Sequence, residues 1–111
     1  MPNHRIDRIA EEIKRELGDI IRELKDPRLP IVLSVVGVRV TKDLRFAKAY
    51  ISVFGDEKVK SDAGAALTGA SGFIRKEIGQ RIDLRYTPEF TFVMDDSIEY
   101  GAKINEVLKK L

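Results

Sequence analysis

The chain has 111 residues, 43% hydrophobic and 34% charged, with no cysteine and a formal net charge of +2. That size suits a single domain spanning residues 1–111 with its own core, and the composition excludes a disordered tract, a disulfide framework and thiol chemistry. The start, MPNHRIDRIAEEIKREL, lacks the apolar run of a signal peptide, and no stretch holds the roughly 20 apolar residues that cross a bilayer, so a cytoplasmic location is expected.

Residues 5–25 place Ile6, Ile9, Ala10, Ile13, Leu17, Ile20, Ile21 and Leu24 at the spacing of one helical stripe, with charges opposite. DPR at 26–28 ends that helix, because proline is incompatible with its continuation. Two β-branched runs follow. Val36, Val38 and Val40 alternate with Val35, Gly37 and Arg39, and Ala47, Ala49, Ile51 and Val53 alternate with Phe46, Lys48, Tyr50 and Ser52. With TKDL between them they read as a β-hairpin carrying Lys42 and Arg45 near its tip.

A second helix is expected after Ser61 or Asp62 as N-cap, with Ala63, Ala66, Leu67 and Ala70 inward. Phe73, Ile74, Ile78 and Ile82 then start a new apolar stripe. Phe90, Phe92 and Met94 alternate as a third strand; with Phe46, Tyr50 and Phe54 the phenylalanines offer a base-stacking platform or sandwich core, and Phe90 and Phe92 are read as core. Ser97 caps a last helix with Ile104, Val107, Leu108 and Leu111 as its stripe. The expectation is an α+β sandwich with a three-stranded sheet, whose last strand follows a helical crossover.

Positive charge is concentrated. Residues 39–54 carry Arg39, Lys42, Arg45 and Lys48 against Asp43, and residues 72–85 carry Arg75, Lys76, Arg81 and Arg85 against Glu77 and Asp83. Residues 86–111 sum to −2. Local basic clusters suit an anionic partner such as nucleic acid, and they also suit an ordinary solvated face.

TGASG at 68–72 puts glycines inside a helical stretch, at a cost of about 1 kcal/mol each relative to alanine. Tolerated glycines, close helix packing, and a break presenting helix N-terminal amides to a phosphate are the competing explanations. A Walker cradle fails because no GK[ST] follows. GASG at 69–72 is literally the G-x-x-G with which KH domains clamp a nucleic-acid backbone between two helices.

LKDPRL at 24–29, VRVTKDLRFAKAYISVFG at 38–55 and ASGFIRKEIGQRIDLRYTPEFTFVMDDSIEYGAKI at 70–104 carry a resemblance covering essentially the whole chain. The chain resembles the ribosome-binding factor A family, bacterial small-subunit assembly factors with a type II KH-like fold. That resemblance implies the order α-β-β-α-kink-α-β with a C-terminal helix. It also replaces the KH loop by an A-x-G kink, which maps onto Ala70, Ser71 and Gly72. The longer C-terminal tail frequent among relatives is not expected here. The resemblance further implies binding to the free or immature 30S subunit and its 16S rRNA, processing of that RNA's 5′ end, and importance in the cold.

Catalysis finds little support. His4 is the only histidine, so no serine has a base, and Asp95, Asp96 and Glu99 are explained by helix capping before metal binding. No cofactor, metal or small-molecule substrate is expected, and no exposed apolar stripe demands a dimer. The candidate RNA contacts are Ala70, Ser71 and Gly72 at the kink, and Arg75, Lys76, Arg81 and Arg85 beside it. Lys42 and Arg45 at the hairpin tip, and Arg28, complete them. A protein-interaction module working through the first and last helices is the alternative.

Overall fold

The computed structural model describes residues 4–30 and 32–94; the predicted C-terminal helix and its acidic capping residues lie outside these. The elements follow as α1 (His4–Glu23), β1 (Leu33–Val40), β2 (Phe46–Val53), α2 (Glu57–Gly69), α3 (Ser71–Arg81) and β3 (Glu89–Met94). The sheet order is β1-β2-β3. β1 and β2 are antiparallel, whereas β3, entered through the α2–α3 crossover, is parallel to β2. This is the α+β, type II KH-like order expected for these residues.

The apolar stripe of α1 does what its spacing requires: Ile13, Leu17, Ile20 and Ile21 are buried against the sheet. Ala47, Ala49, Ile51 and Val53 face them from β2, and Ala63, Leu67, Ile74, Ile78 and Phe90 close the cluster. Alanines at 47 and 49 let the helices approach the central strand closely. Each buried Leu or Ile contributes about 1.5–3 kcal/mol relative to exposure. All three helices therefore cover one face of the sheet. The Phe90 and Phe92 rings stack 6.2 Å apart, Phe90 buried and Phe92 partly so.

Three local expectations are corrected. First, α2 begins at Glu57, with Asp56 as its cap: the Asp56 carboxylate accepts from the Val59 amide at 3.0 Å, while Ser61 and Asp62 lie within the helix. The first turn, EKVK, is mostly charged, so apolar periodicity hid it. Gly55 makes the turn before it, with φ at 156° and Val59 only 2.7 Å from where a Cβ would stand.

Second, β1 does not alternate uniformly. Its register shifts between Val35 and Gly37, leaving Val36 as a bulge residue. Val35, Val38 and Val40 consequently pack on the core, while Gly37 and Arg39 share the outer face with their partners Tyr50 and Lys48. Third, Phe73 points outward, 49% exposed, because the buried positions of α3 are Ile74 and Ile78.

Candidate nucleic-acid interface

A single residue, Ala70, separates α2 from α3. At φ −93° and ψ 5° it sits in the bridge region between helical and extended backbone. Its amide donates to the Ala66 and Leu67 carbonyls, and its carbonyl accepts from the Ile74 amide at 2.9 Å. Hydrogen bonding thus runs through the junction, which is a kink and not an open loop. Ser71 is partly buried and Gly72 exposed.

Neither Gly69 nor Gly72 is required by the protein's own packing. A Cβ at either would meet nothing within 4 Å, and neither has positive φ. Helical spacing puts Gly69, Gly72, Phe73 and Lys76 on neighbouring positions of one exposed strip. Gly79 differs, since a Cβ there would stand 2.9 Å from the Thr87 hydroxyl. That glycine lets the strand entry lie close against α3.

The cations beside the kink have distinct situations. Arg75 donates from Nε and Nη2 to the Thr87 carbonyl at 3.3 and 3.2 Å, tying α3 to the approach of β3. Lys76 is exposed, with no carboxylate within ion-pair distance among the described residues. Arg81 is committed internally: its guanidinium lies 2.6 Å from Glu23, 3.2 Å from Glu77 and 3.7 Å from Glu16. Hydrogen bonds to Glu23 and then Glu77 push its pKa above the ordinary arginine value.

Arg45 and Arg85 meet over one ring. Their guanidiniums lie 5.8 and 5.7 Å from the centroid of Tyr86, itself 46% exposed. Cation–π attraction of about 0.5–1 kcal/mol per exposed pair holds two like charges to the same ring. Sequence reasoning assigned Tyr86 no role; its place directly after Arg85 was the available signal.

The hairpin tip that carries Arg45 is itself tightly built. The Thr41 hydroxyl donates to Asp43 at 2.6 Å, the Arg45 amide donates to the same carboxylate at 3.1 Å, and the Phe46 amide donates to the Thr41 hydroxyl at 3.2 Å. The bonds from the Thr41 hydroxyl and then the Arg45 amide hold the Asp43 carboxyl below its ordinary pKa. Leu44, at φ 62°, turns its side chain inward and is buried. The tip is anchored by this leucine, leaving Lys42 and Arg45 exposed.

Arg28 is chelated locally, donating to both carboxylate oxygens of Asp26 at 3.1 and 2.9 Å. Those side-chain bonds raise the Arg28 pKa and lower that of Asp26. The structure therefore brings Arg45 and Arg85 to Tyr86 beyond the end of α3, keeps Lys42 on the same hairpin tip as Arg45, and leaves Lys76 midway along α3, one turn after Gly72. Arg81 and Arg28 stand apart from both groups, already paired. Among the described residues no helix is long and apolar enough to cross a membrane, and no His, Asp and Glu cluster could hold a metal.

The family model of ribosome-binding factor A matches residues 5–108. A ribosome-binding factor A of Acetivibrio thermocellus is 56% identical over 107 residues, covering 96% of this chain and 87% of that one. The solution structure of a Thermotoga maritima protein described as a putative ribosome binding factor A superposes with a TM-score of 0.77 at 31% identity, covering 89% of this chain and 94% of that one. A Thermus thermophilus ribosome binding factor A homology model, fitted into a cryo-EM map of a 30S complex, gives a TM-score of 0.67 at 30% identity, covering 79% and 92%. The kinked helix pair, the mixed sheet and a sequence match along nearly the whole chain lead to one conclusion: this protein belongs to the ribosome-binding factor A family.

Proposed function

We propose that this chain is a non-catalytic assembly factor that binds the free or immature small ribosomal subunit through its 16S rRNA. The observation that carries the reading is the exposed strip along the kink, where two glycines that nothing inside the protein requires adjoin the uncompensated Lys76. Absent side chains let a sugar–phosphate backbone come close, and a cation beside them meets its charge irrespective of base sequence. Arg45 and Arg85 around Tyr86, with Lys42 on the same hairpin tip as Arg45, form a second positive group, suited to a folded RNA read by shape. The fitted Thermus thermophilus relative supports the same partner. Family membership further supports a role in late maturation, including processing at the 5′ end of the RNA precursor. The demand should be greatest in the cold, where wrongly paired RNA persists longer.

Co-sedimentation with small subunits at two salt concentrations tests this. Wild type is compared with Lys76→Glu/Arg85→Glu; Arg81 is left intact because its carboxylate partners make it part of the fold. Salt-sensitive binding that this variant loses is expected. Failure of the wild type to sediment with subunits at low salt would overturn the reading in favour of a protein-interaction module.

A further inference from the structure

The helices leave the outer face of the sheet uncovered among the described residues, and that face is not an ordinary polar one. Arg39 stands opposite Lys48, which stands opposite Thr91, across β1, β2 and β3. Like charges directly opposite one another destabilise a sheet. No carboxylate among the described residues lies within ion-pair distance of either cation. On the central strand the same face presents Phe46, 55% exposed, two residues before Lys48, and Tyr50 two residues after it. Their backbones are about 13–14 Å apart at strand rise, with both cations between them. A groove of about 280 Å³ runs among Arg39, Phe46, Lys48, Tyr50 and Thr91.

Gly37 adds an independent observation. It sits opposite Tyr50 at the bulge, in the interior of a strand where glycine weakens pairing. A Cβ at this position would meet nothing within 4 Å, and the backbone does not have positive φ. Neither packing nor conformation calls for glycine, yet its absence of a side chain keeps the floor beside the Tyr50 ring open. Glu89, beside Phe46, marks the acidic end of the platform.

We infer that this face is a second RNA site, a platform on which unpaired bases stack over Phe46 and Tyr50 while Arg39 and Lys48 hold the intervening phosphates. It rests on the reading of the chain as an RNA-binding factor and assigns the single-stranded part of the partner to a surface remote from the kink. Every base has a π-face, so such a site is tolerant of sequence. A second copy of the chain or a protein partner would have to desolvate two adjacent unpaired cations, which is unfavourable unless it supplies matching carboxylates.

The test uses the full-length chain and a labelled short oligouridine at low salt, with small-subunit co-sedimentation alongside. Phe46→Ala/Tyr50→Ala is expected to lose about tenfold or more in oligouridine affinity, since stacking on one aromatic contributes on the order of one to two decades. Ultraviolet crosslinks should map to peptides containing Phe46 or Tyr50. Gly37→Val, which introduces a favoured strand residue into open space, should leave the unfolding midpoint no lower while weakening oligouridine binding similarly. Unchanged affinity in both variants, or crosslinks confined to α3, would overturn the platform. So would a zero-length carbodiimide crosslink joining Lys48 to residues 95–111 or to a second chain. Oligouridine failing to bind while subunits co-sediment would sink this proposal and leave the small-subunit reading standing. Loss of co-sedimentation with oligouridine binding intact would do the reverse.

Discussion

The guanidinium of Arg81, near the end of α3, donates to the carboxylate of Glu23 at 2.6 Å, the last residue of α1 and 58 positions earlier in the chain. With Glu16 and Glu77 also in reach, this arginine fastens α3 to α1 across the helical layer. Arg81→Glu would place a fourth carboxylate among three. Thermal unfolding followed by circular dichroism should show a clear fall in midpoint. Lys76→Glu, on the open strip, should stay within about 0.5 kcal/mol of wild type. Equal effects of the two substitutions would contradict a fastening role.

The glycines of the kinked pair should divide into two classes. Gly69→Ala and Gly72→Ala enter open space on helical backbone, so each should stabilise by about 0.5–1 kcal/mol in chemical denaturation. Both should nonetheless weaken subunit binding, because the added methyls stand where the RNA backbone approaches. Gly79→Ala should destabilise by about 1 kcal/mol, because Thr87 must turn away from the new Cβ.

Tyr86 acts on binding through the two arginines that flank it. In Tyr86→Ala, Arg45 and Arg85 lose the ring that gathers them, and subunit affinity should fall about three- to tenfold, part of the roughly 1–2 kcal/mol that two cation–π contacts represent. The salt dependence should keep its slope, because the number of cations is unchanged. Tyr86→Phe preserves the ring and should bind like wild type. An equal loss in that variant would assign the effect to the hydroxyl.

Acid should open the two aspartate turns late. Asp26 and Asp43 both titrate below the ordinary value of 3.8, Asp26 chiefly through the Arg28 side chain and Asp43 chiefly through the Thr41 hydroxyl. A carboxyl whose folded pKa is depressed stabilises above its unfolded pKa and loses that contribution as pH falls through the folded one. Amide shifts of Arg28 and Arg45 should therefore stay constant from neutral pH to about 4 and move only in stronger acid. Movement near pH 6 would contradict these hydrogen bonds.

Much of this protein was legible in its residues. The stripe of α1, the alternation of β2 and the buried Ile74 and Ile78 follow from periodicity alone, because burial on one face imposes a fixed spacing on the chain. The long matched stretches from Leu24 to Ile104 carried the family and with it the kink at Ala70. Periodicity gave way where a local device overrode it. The bulge at Val36 inverted the facing of one half of β1, and the charged first turn of α2 concealed a helix whose start Gly55 and Asp56 determine.

The cations show the other limit. Sequence marks Arg75, Arg81 and Arg85 alike, as basic residues near one another in the chain, with Arg28 apart from them. Only tertiary structure separates them, turning Arg81 toward Glu16 and Glu23 of α1, Arg75 toward the Thr87 carbonyl, and Arg85 onto a ring it shares with Arg45 from the hairpin. Composition and local spacing determine which segments fold and which side they bury, since those depend on near neighbours. Whether a charge is spent inside the protein or left for a partner depends on residues brought together across the fold, and that was decided by packing.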